Sequence, residues 1–442
     1  MNRRDFVSGA AGLCFACIGA GAKGFSFGLD EGASLMNPCS APLPAALMEH
    51  ELVKTAFAGL NPGLIWDGHA HLLGTGDSGS GCWINPQMES LFHPMQVVQK
   101  KFFLNAACVE EKQQRVDRDF VARLGRLIGE FPVGAGTLLF AFDHTYREDG
   151  QLDRPRAAFY VPNRYAANVA KANPGRFRFV ASVHPYRKDA IEELERCAGE
   201  GAVAVKWLPS SMGIDPGSAR CDAFYEALVK HDLPLITHAG QERATKGAHQ
   251  QQFGNPLRLR RPLDHGVRVV VAHCGSMGED RDIDRGAGGE GGPYVESFEL
   301  FARLMAESRY EKNLFGDISA VPQSNRARYL PAIISRSEWH PRLLNGSDYP
   351  LPGVMPLFSV DTLARNGWLQ SPEAAVIKQL RDYNPLMFDF VLKRSLRIQG
   401  AKLSDTIFET GNFFDRHARS RRAGPHVNNA NNVTTAQGGP RV

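Results

Sequence analysis

Residues 64–74 read L-I-W-D-G-H-A-H-L-L-G. An apolar run of Leu64, Ile65 and Trp66 stops at Asp67-Gly68, and His69 and His71 follow with one residue between them. Taken as a strand, the run places alternate side chains on one face, so the two histidines point the same way. Two neutral imidazoles at a strand's end can hold one divalent ion. A lone H-x-H is more often an ordinary pair of histidines leaving a strand. The later stretches decide between the two readings, according to whether they deliver further ligands to the same place.

Seven more apolar runs read as buried strands, at 133–142, 177–183, 203–207, 235–238, 267–272, 314–318 and 343–346. Between them, 190–197, 219–231 and 295–307 carry apolar residues at spacings of three and four, the pattern of amphipathic helices, and 95–130 reads as helical too. Asp189 is the expected N-cap of the 190–197 helix. Eight strands alternating with helices, with the later strand ends roughly 30–45 residues apart, predict an α/β fold, a (β/α)8 TIM barrel with an N-terminal leader and long rim loops. A doubly wound open sheet is the competing architecture. The expected divisions are an export signal at 1–22, a leader at 23–60, the barrel at 61–395, a C-terminal extension at 396–417 and a disordered tail at 418–442. The loop G-T-G-D-S-G-S-G-C-W-I-N-P at 74–86 is long for a compact domain and is expected to act as a lid over the rim.

Reading the residue at each strand's C-terminal end adds Lys206 in A-V-A-V-K-W, His238 in L-I-T-H-A-G, His273 in V-A-H-C-G and Asp348 in N-G-S-D-Y-P. Singly, each has a plain structural reading, as a satisfied core histidine, a helix cap or a buried ion pair. In a barrel these ends meet at one rim, where active sites of that fold lie. Together they make a metal site the better reading.

With W-D-G-H-A-H, I-T-H-A-G, V-A-H-C-G and N-G-S-D-Y-P in place, residues 60–395 resemble the amidohydrolase superfamily, in particular its amidohydrolase-related branch of metal-dependent hydrolases. The resemblance implies a divalent ion, Zn2+ first with Mn2+ or Fe2+ as alternatives, and one ion rather than two. It implies His69, His71, His238 and Asp348 as metal ligands. Asp348 would also move the proton, and His273 would polarise the substrate carbonyl or stabilise the oxyanion. In two-metal relatives a carboxylated lysine at the position of Lys206 bridges the ions; in a one-metal site Lys206 would instead hold a substrate carboxylate as a cation. The implied function is hydrolysis of a C–N or C–O bond in a small-molecule amide, ester or lactone. Non-oxidative decarboxylation or hydration of a ring carboxylic acid on the same cage is the near alternative, and a non-catalytic periplasmic binding protein is the alternative from another class. Asp143, His184, Trp207, Glu242 and Tyr349, just past strand ends, are candidate substrate-facing residues.

Charge bears on partners. The chain has 51 basic and 47 acidic residues, and five of the arginines (Arg416, Arg419, Arg421, Arg422 and Arg441) follow the last acid, Asp415, leaving 46 basic against 47 acidic. A body so balanced is not built for nucleic acid. The expected partners are a small-molecule substrate and, transiently, export machinery; a homo-oligomer is left open. Asn2-Arg3-Arg4-Asp5-Phe6-Val7 resembles a twin-arginine export motif, the Gly/Ala-rich run at 8–22 is too short for a stable membrane anchor, and Ala20-Gly21-Ala22 suits cleavage. A periplasmic product is expected. Cys14 and Cys17 lie in that segment, while Cys39, Cys82, Cys108, Cys197, Cys221 and Cys274 are scattered, which suits small core residues with room for one disulfide. Three motif-like strings are set aside. Gly286-x-Gly288-x-x-Gly291 follows no strand, Asp280, Asp282 and Asp284 lack the closing glutamate of a calcium loop, and Gly24-x-Ser26-x-Gly28 has no strand before it.

Overall fold

The computed structural model describes residues 30, 34–111, 114–245, 250–286 and 291–415. The twin-arginine motif, the cleavage site, the glycines at 24 and 28 and the tail from 416 lie outside these residues, as does part of the 286–291 glycine run.

Eight parallel strands carry the fold: β1 Trp66–Asp67, β2 Gly136–Phe140, β3 Phe177–Val180, β4 Val205–Trp207, β5 Leu235–His238, β6 Val269–Ala272, β7 Leu314–Asp317 and β8 Leu343–Leu344. They form a three-stranded sheet, β1-β2-β3, and a five-stranded sheet, β8-β7-β6-β5-β4. Backbone hydrogen bonds bridge both seams. Val203 N–H donates to Phe179 O (2.9 Å) and Lys206 N–H to Ala181 O (2.7 Å) at one. Gly68 N–H donates to Asn345 O (3.0 Å) and His71 N–H to Tyr349 O (2.9 Å) at the other. The strands thus follow one another around a ring in chain order, the (β/α)8 arrangement rather than the open sheet.

Apolar side chains divide by the strand period of two. Leu138, Phe140, Val180, Ala204, Ile236, Val270 and Leu344 pack together in one small cluster with Trp66 and Phe414, whereas Leu139, Val205, Leu235, Val269 and Val271 join the large cluster with the helices. The small cluster is the filling of the barrel. Its members Ala204 and Ile236 stand two residues before Lys206 and His238, so the same alternation that fills the barrel carries these two polar residues inward at the strand ends. Phe414, on the short helix Gly411–Phe414, joins the filling beside Trp66, so the extension after residue 395 contributes to the barrel's interior.

Three local expectations are corrected. The helical stretch at 95–130 is two helices, α1 Pro94–Ala106 and α2 Val116–Gly129, interrupted around Cys108, whose φ is 55°. Cys108 is bonded to Cys39 in a disulfide with Cα atoms 5.5 Å apart, and this ties the leader to the interruption. Cys82, Cys197, Cys221 and Cys274 are free and buried. The 74–86 loop is no lid, since none of its residues lines the rim cavity. It is pinned to the start of α2 instead: Asp117 accepts from the N–H groups of Thr75 (2.7 Å) and Gly76 (3.2 Å), and Asp77 accepts from the N–H of Val116 (2.7 Å), one of the unpaired donors at that helix end. Asp189 stands at the N-cap of the helix Ala190–Gly199 but its carboxylate is held by Arg187 (2.7 and 3.0 Å), so it makes no cap hydrogen bond. The acids of the calcium-like string are held by other side chains, Asp280 by Ser297, Asp282 by Arg303 and Asp284 by Arg260 and Arg303.

Candidate metal centre

His69, His71, Lys206, His238, His273 and Asp348 all line one cavity at the C-terminal ends of the strands. The cavity has about 1160 Å³ of empty space, part of it open to solvent, a size suited to a small molecule.

Asp348 sits at the centre. Its Oδ1 is 3.2 Å from His71 Nε2 and 3.5 Å from His69 Nε2, and its Oδ2 is 3.7 Å from His273 Nε2. Burial alone would raise this carboxyl, but the hydrogen bond from His71 and the nearby Lys206 ammonium pull the other way, and it comes down to about 2. It is therefore an anion at every working pH. Ligand atoms of His69, His273 and Asp348 lie within 4.8 Å of one another, and all three residues are buried.

The far nitrogens of two imidazoles are anchored so that the near ones present lone pairs. His69 Nδ1 donates to Asp317 Oδ2 at 2.8 Å, and its Nε2 accepts from Lys206 Nζ at 3.2 Å. His273 Nδ1 meets the Ser319 carbonyl at 2.9 Å and the Ser319 hydroxyl at 2.8 Å. A carbonyl can only accept, so Nδ1 carries the proton. Burial, with Lys206 for His69 and Arg326 for His273, holds both rings well below the usual histidine range, and hence neutral. Neutral imidazole with an outward-anchored N–H is the state that binds a metal. His238 is also buried and shifted down by burial; its Nδ1 is 3.5 Å from Glu242 Oε2 and its Nε2 has no hydrogen-bond partner. A buried lone pair or N–H without a partner is costly unless something fills its place. This donor set fits a divalent ion.

Lys206 is wholly buried, and burial pulls its ammonium down to about 8 against the attraction of Asp317, Asp348 and Glu242.

Two of the residues are placed by unusual backbone. His273 has φ 54° and Asp348 φ 63°, left-handed conformations that are uncommon outside glycine, though Asp and His adopt them more readily than most, and that gather at functional sites. Gly346 allows the close approach behind them: a Cβ there would lie 2.5 Å from His69 Cβ and 2.9 Å from His69 N.

Of the substrate-facing candidates, Glu242 alone lines the cavity. Asp143 pairs with Arg187 at 3.0 Å, His184 Nε2 meets the Met212 carbonyl at 2.9 Å, Trp207 Nε1–H donates to Val183 O at 2.8 Å, and Tyr349 packs edge-on to Phe120. Those four do not line the cavity; the first three spend polar atoms on the protein itself, and the Tyr349 hydroxyl is buried without a partner.

Sequence reasoning passed over Asp317, Ser319 and Arg326. Asp317 accepts from His69 Nδ1, from the His273 N–H at 2.8 Å and from the Ser319 N–H at 3.1 Å. The rule that found the others, reading the last polar residue of each strand, finds Asp317 too when applied to L-F-G-D at 314–317.

A family model described as amidohydrolase matches residues 119–374. No curated protein matches the chain. Among solved structures, an uncharacterised TIM-barrel protein of Bordetella bronchiseptica is 16% identical with a TM-score of 0.41, covering 70% of this chain and 94% of that one. The 4-oxalomesaconate hydratase of Rhodopseudomonas palustris is 16% identical with a TM-score of 0.41, covering 81% and 96%. The 5-carboxyvanillate decarboxylase of Sphingomonas paucimobilis is 14% identical with a TM-score of 0.37, covering 72% and 95%.

Proposed function

This chain belongs to the amidohydrolase family, and from that premise we propose that it is a metal-dependent hydrolase acting on a C–N or C–O bond of a small-molecule amide, ester or lactone. The observation that carries the proposal is the buried cluster of His69, His273 and Asp348, with both imidazoles anchored through Nδ1. Residues proposed to hold one divalent ion are His69, His71, His238 and Asp348, with His273 facing the other oxygen of the same carboxylate.

A divalent ion held by these residues would supply Lewis acidity that makes water a better proton donor. Asp348, the central carboxylate, would take up the proton that the water releases and pass it to the leaving group. The role first expected of His273, donation to a carbonyl, needs a proton on Nε2. With Nδ1 held by the Ser319 carbonyl and the ring neutral, Nε2 offers a lone pair instead. Lys206 lines the same cavity as a cation at neutral pH and is the better donor to an oxyanion.

Elemental analysis of the purified full-length protein tests the metal, with His69→Ala/His71→Ala as control. A folded wild-type protein that takes up neither zinc nor manganese would end the proposal. A panel of esters, lactones, amides and ring acids tests the reaction: turnover of the first three that Asp348→Asn abolishes supports hydrolysis, whereas turnover of ring acids alone assigns the cage to decarboxylation or hydration. Export is proposed separately, from Arg3-Arg4 and the run behind it; a Cys39–Cys108 disulfide suits an oxidising compartment. Fractionation of cells carrying wild type and Arg3→Lys/Arg4→Lys tests it, and a cytoplasmic location for both would count against it.

A further inference from the structure

Arg326 is 6% exposed, lines the cavity, and forms no ion pair among the described residues. Its side chain makes one hydrogen bond among the described residues, a long one of 3.4 Å from Nη1 to the Ser276 hydroxyl, and its Nε is buried without a partner. Asp348, Glu242 and Asp317 attract it only from beyond ion-pair distance. A guanidinium stays charged in a protein, so it cannot escape burial by losing a proton. Other interior arginines are better matched: Arg381 is spanned by the carbonyls of Pro352 and Val354 at 2.8 Å each, Arg187, largely buried, has Asp143 and Asp189, and Arg123, whose Nε is also buried without a partner, donates through Nη2 to Tyr383 O at 2.8 Å. Arg326 has no such short bond, and unlike Arg123 it lines the cavity.

Its neighbour in the chain repeats the pattern. Gln323 is 3% exposed, lines the cavity, and its Nε2 has no partner. Two sets of buried donors, one cationic and one neutral, therefore open on the same space, and among the described residues only the Ser276 hydroxyl reaches either of them, although Glu242, Asp348 and the unpartnered Asn325 Oδ1 also line it. Unmatched buried donors cost stability unless a ligand completes them. The lining also includes the apolar side chains of Phe102, Phe103, Phe159 and Val354, beside the polar Gln99, Arg243 and Thr245.

We propose that Arg326 and Gln323 form a carboxylate-binding subsite, so that the substrate of this enzyme is a small acid with an apolar body, held by its carboxylate away from the bond that reacts. This rests on the reading of the cavity as the active site, and it adds the class of substrate. It moves the anion-holding role first considered for Lys206 to Arg326, and leaves Lys206 beside the reacting atoms.

Benzoate and benzamide, alike in shape and different in charge, test the subsite on the full-length protein by calorimetry, as purified and after metal removal. Benzoate should bind in both states and benzamide in neither. Arg326→Met should weaken benzoate at least about tenfold, the loss of a charge-assisted fork, and Gln323→Leu should weaken it less. The His69→Ala/His71→Ala protein should still bind it. Benzoate binding that vanishes with the metal, or that Arg326→Met leaves unchanged, would overturn the proposal. If Arg326→Met does not fold, the same readings on Gln323→Leu decide, with unchanged benzoate affinity overturning it. Metal content, measured on the same samples, separates this outcome from failure of the metal reading, since a metal-free protein that binds benzoate through Arg326 retains the subsite and loses only the ion.

Discussion

Asp317 Oδ2 lies 2.8 Å from His69 Nδ1, while its Oδ1 accepts the backbone N–H of His273 at 2.8 Å. One carboxylate at the end of β7 thus sets the tautomer of one imidazole and the backbone position of another. Both carry their lone pairs toward Asp348. Such partners orient ligands and raise their basicity.

Asp317→Asn should therefore weaken metal binding by about 10–100-fold while leaving the barrel folded. Asparagine keeps the volume but removes the charge, and its amide can offer only one acceptor to the several donors gathered there. Competition with a chromogenic chelator reads the affinity, and circular dichroism reads the fold. Wild-type affinity in the variant would remove Asp317 from this role.

Gly346→Ala tests how tightly His69 is seated. The added methyl would lie 2.5 Å from His69 Cβ and 2.9 Å from its amide nitrogen, and backbone on both sides cannot yield easily. A cost of about 1–3 kcal/mol in urea unfolding is expected, as for overpacking elsewhere, with reduced metal retention because His69 is displaced. Unchanged values for both would mean that the strand end has room to shift.

The Cys39–Cys108 bond closes a loop spanning 69 positions of sequence. In the chain-entropy view a link of that length stabilises by about 4 kcal/mol. Cys108→Ser should lower the urea midpoint, and dithiothreitol should do the same to wild type and nothing to the variant. Equal midpoints for wild type with and without reductant would show the bond adds no stability.

Legibility in the sequence followed physical reach. The barrel strands were readable because strands covered on both faces are continuous apolar runs, and Lys206 and His238 stood out as polar endings of such runs. The lid reading of 74–86 failed because its partners, Asp117 and the Val116 amide, lie about 40 residues away, and no local pattern records that pairing. The break at Cys108 was hidden for the same reason: Ala106-Ala107-Cys108-Val109-Glu110 contains no strong helix breaker, and the disulfide partner is in the leader. Arg326 sits in V-P-Q-S-N-R at 321–326, polar loop composition that is ordinary until the fold turns it into a cavity.

Acid should destabilise the protein from about pH 6.5 downward, and His184 offers a way to show why. It is buried, and burial pushes its imidazole down to about 3 while the Met212 carbonyl pulls the other way. The unfolded chain protonates this ring near pH 6.5, so below that pH the unfolded state binds the extra proton and folding must expel it. Its contribution to stability is thus complete above pH 6.5 and is lost as pH falls toward 3; by pH 5 the loss is about 2 kcal/mol. His184→Gln keeps a side-chain N–H for the Met212 carbonyl and removes the titration. Urea unfolding of the variant should show a shallower decline between pH 6.5 and 5 than wild type, with His144, shifted to about 4, accounting for part of what remains. Parallel curves for the two proteins would mean that His184 is protonated in the folded state, which its 2.9 Å contact with a carbonyl would then have to support.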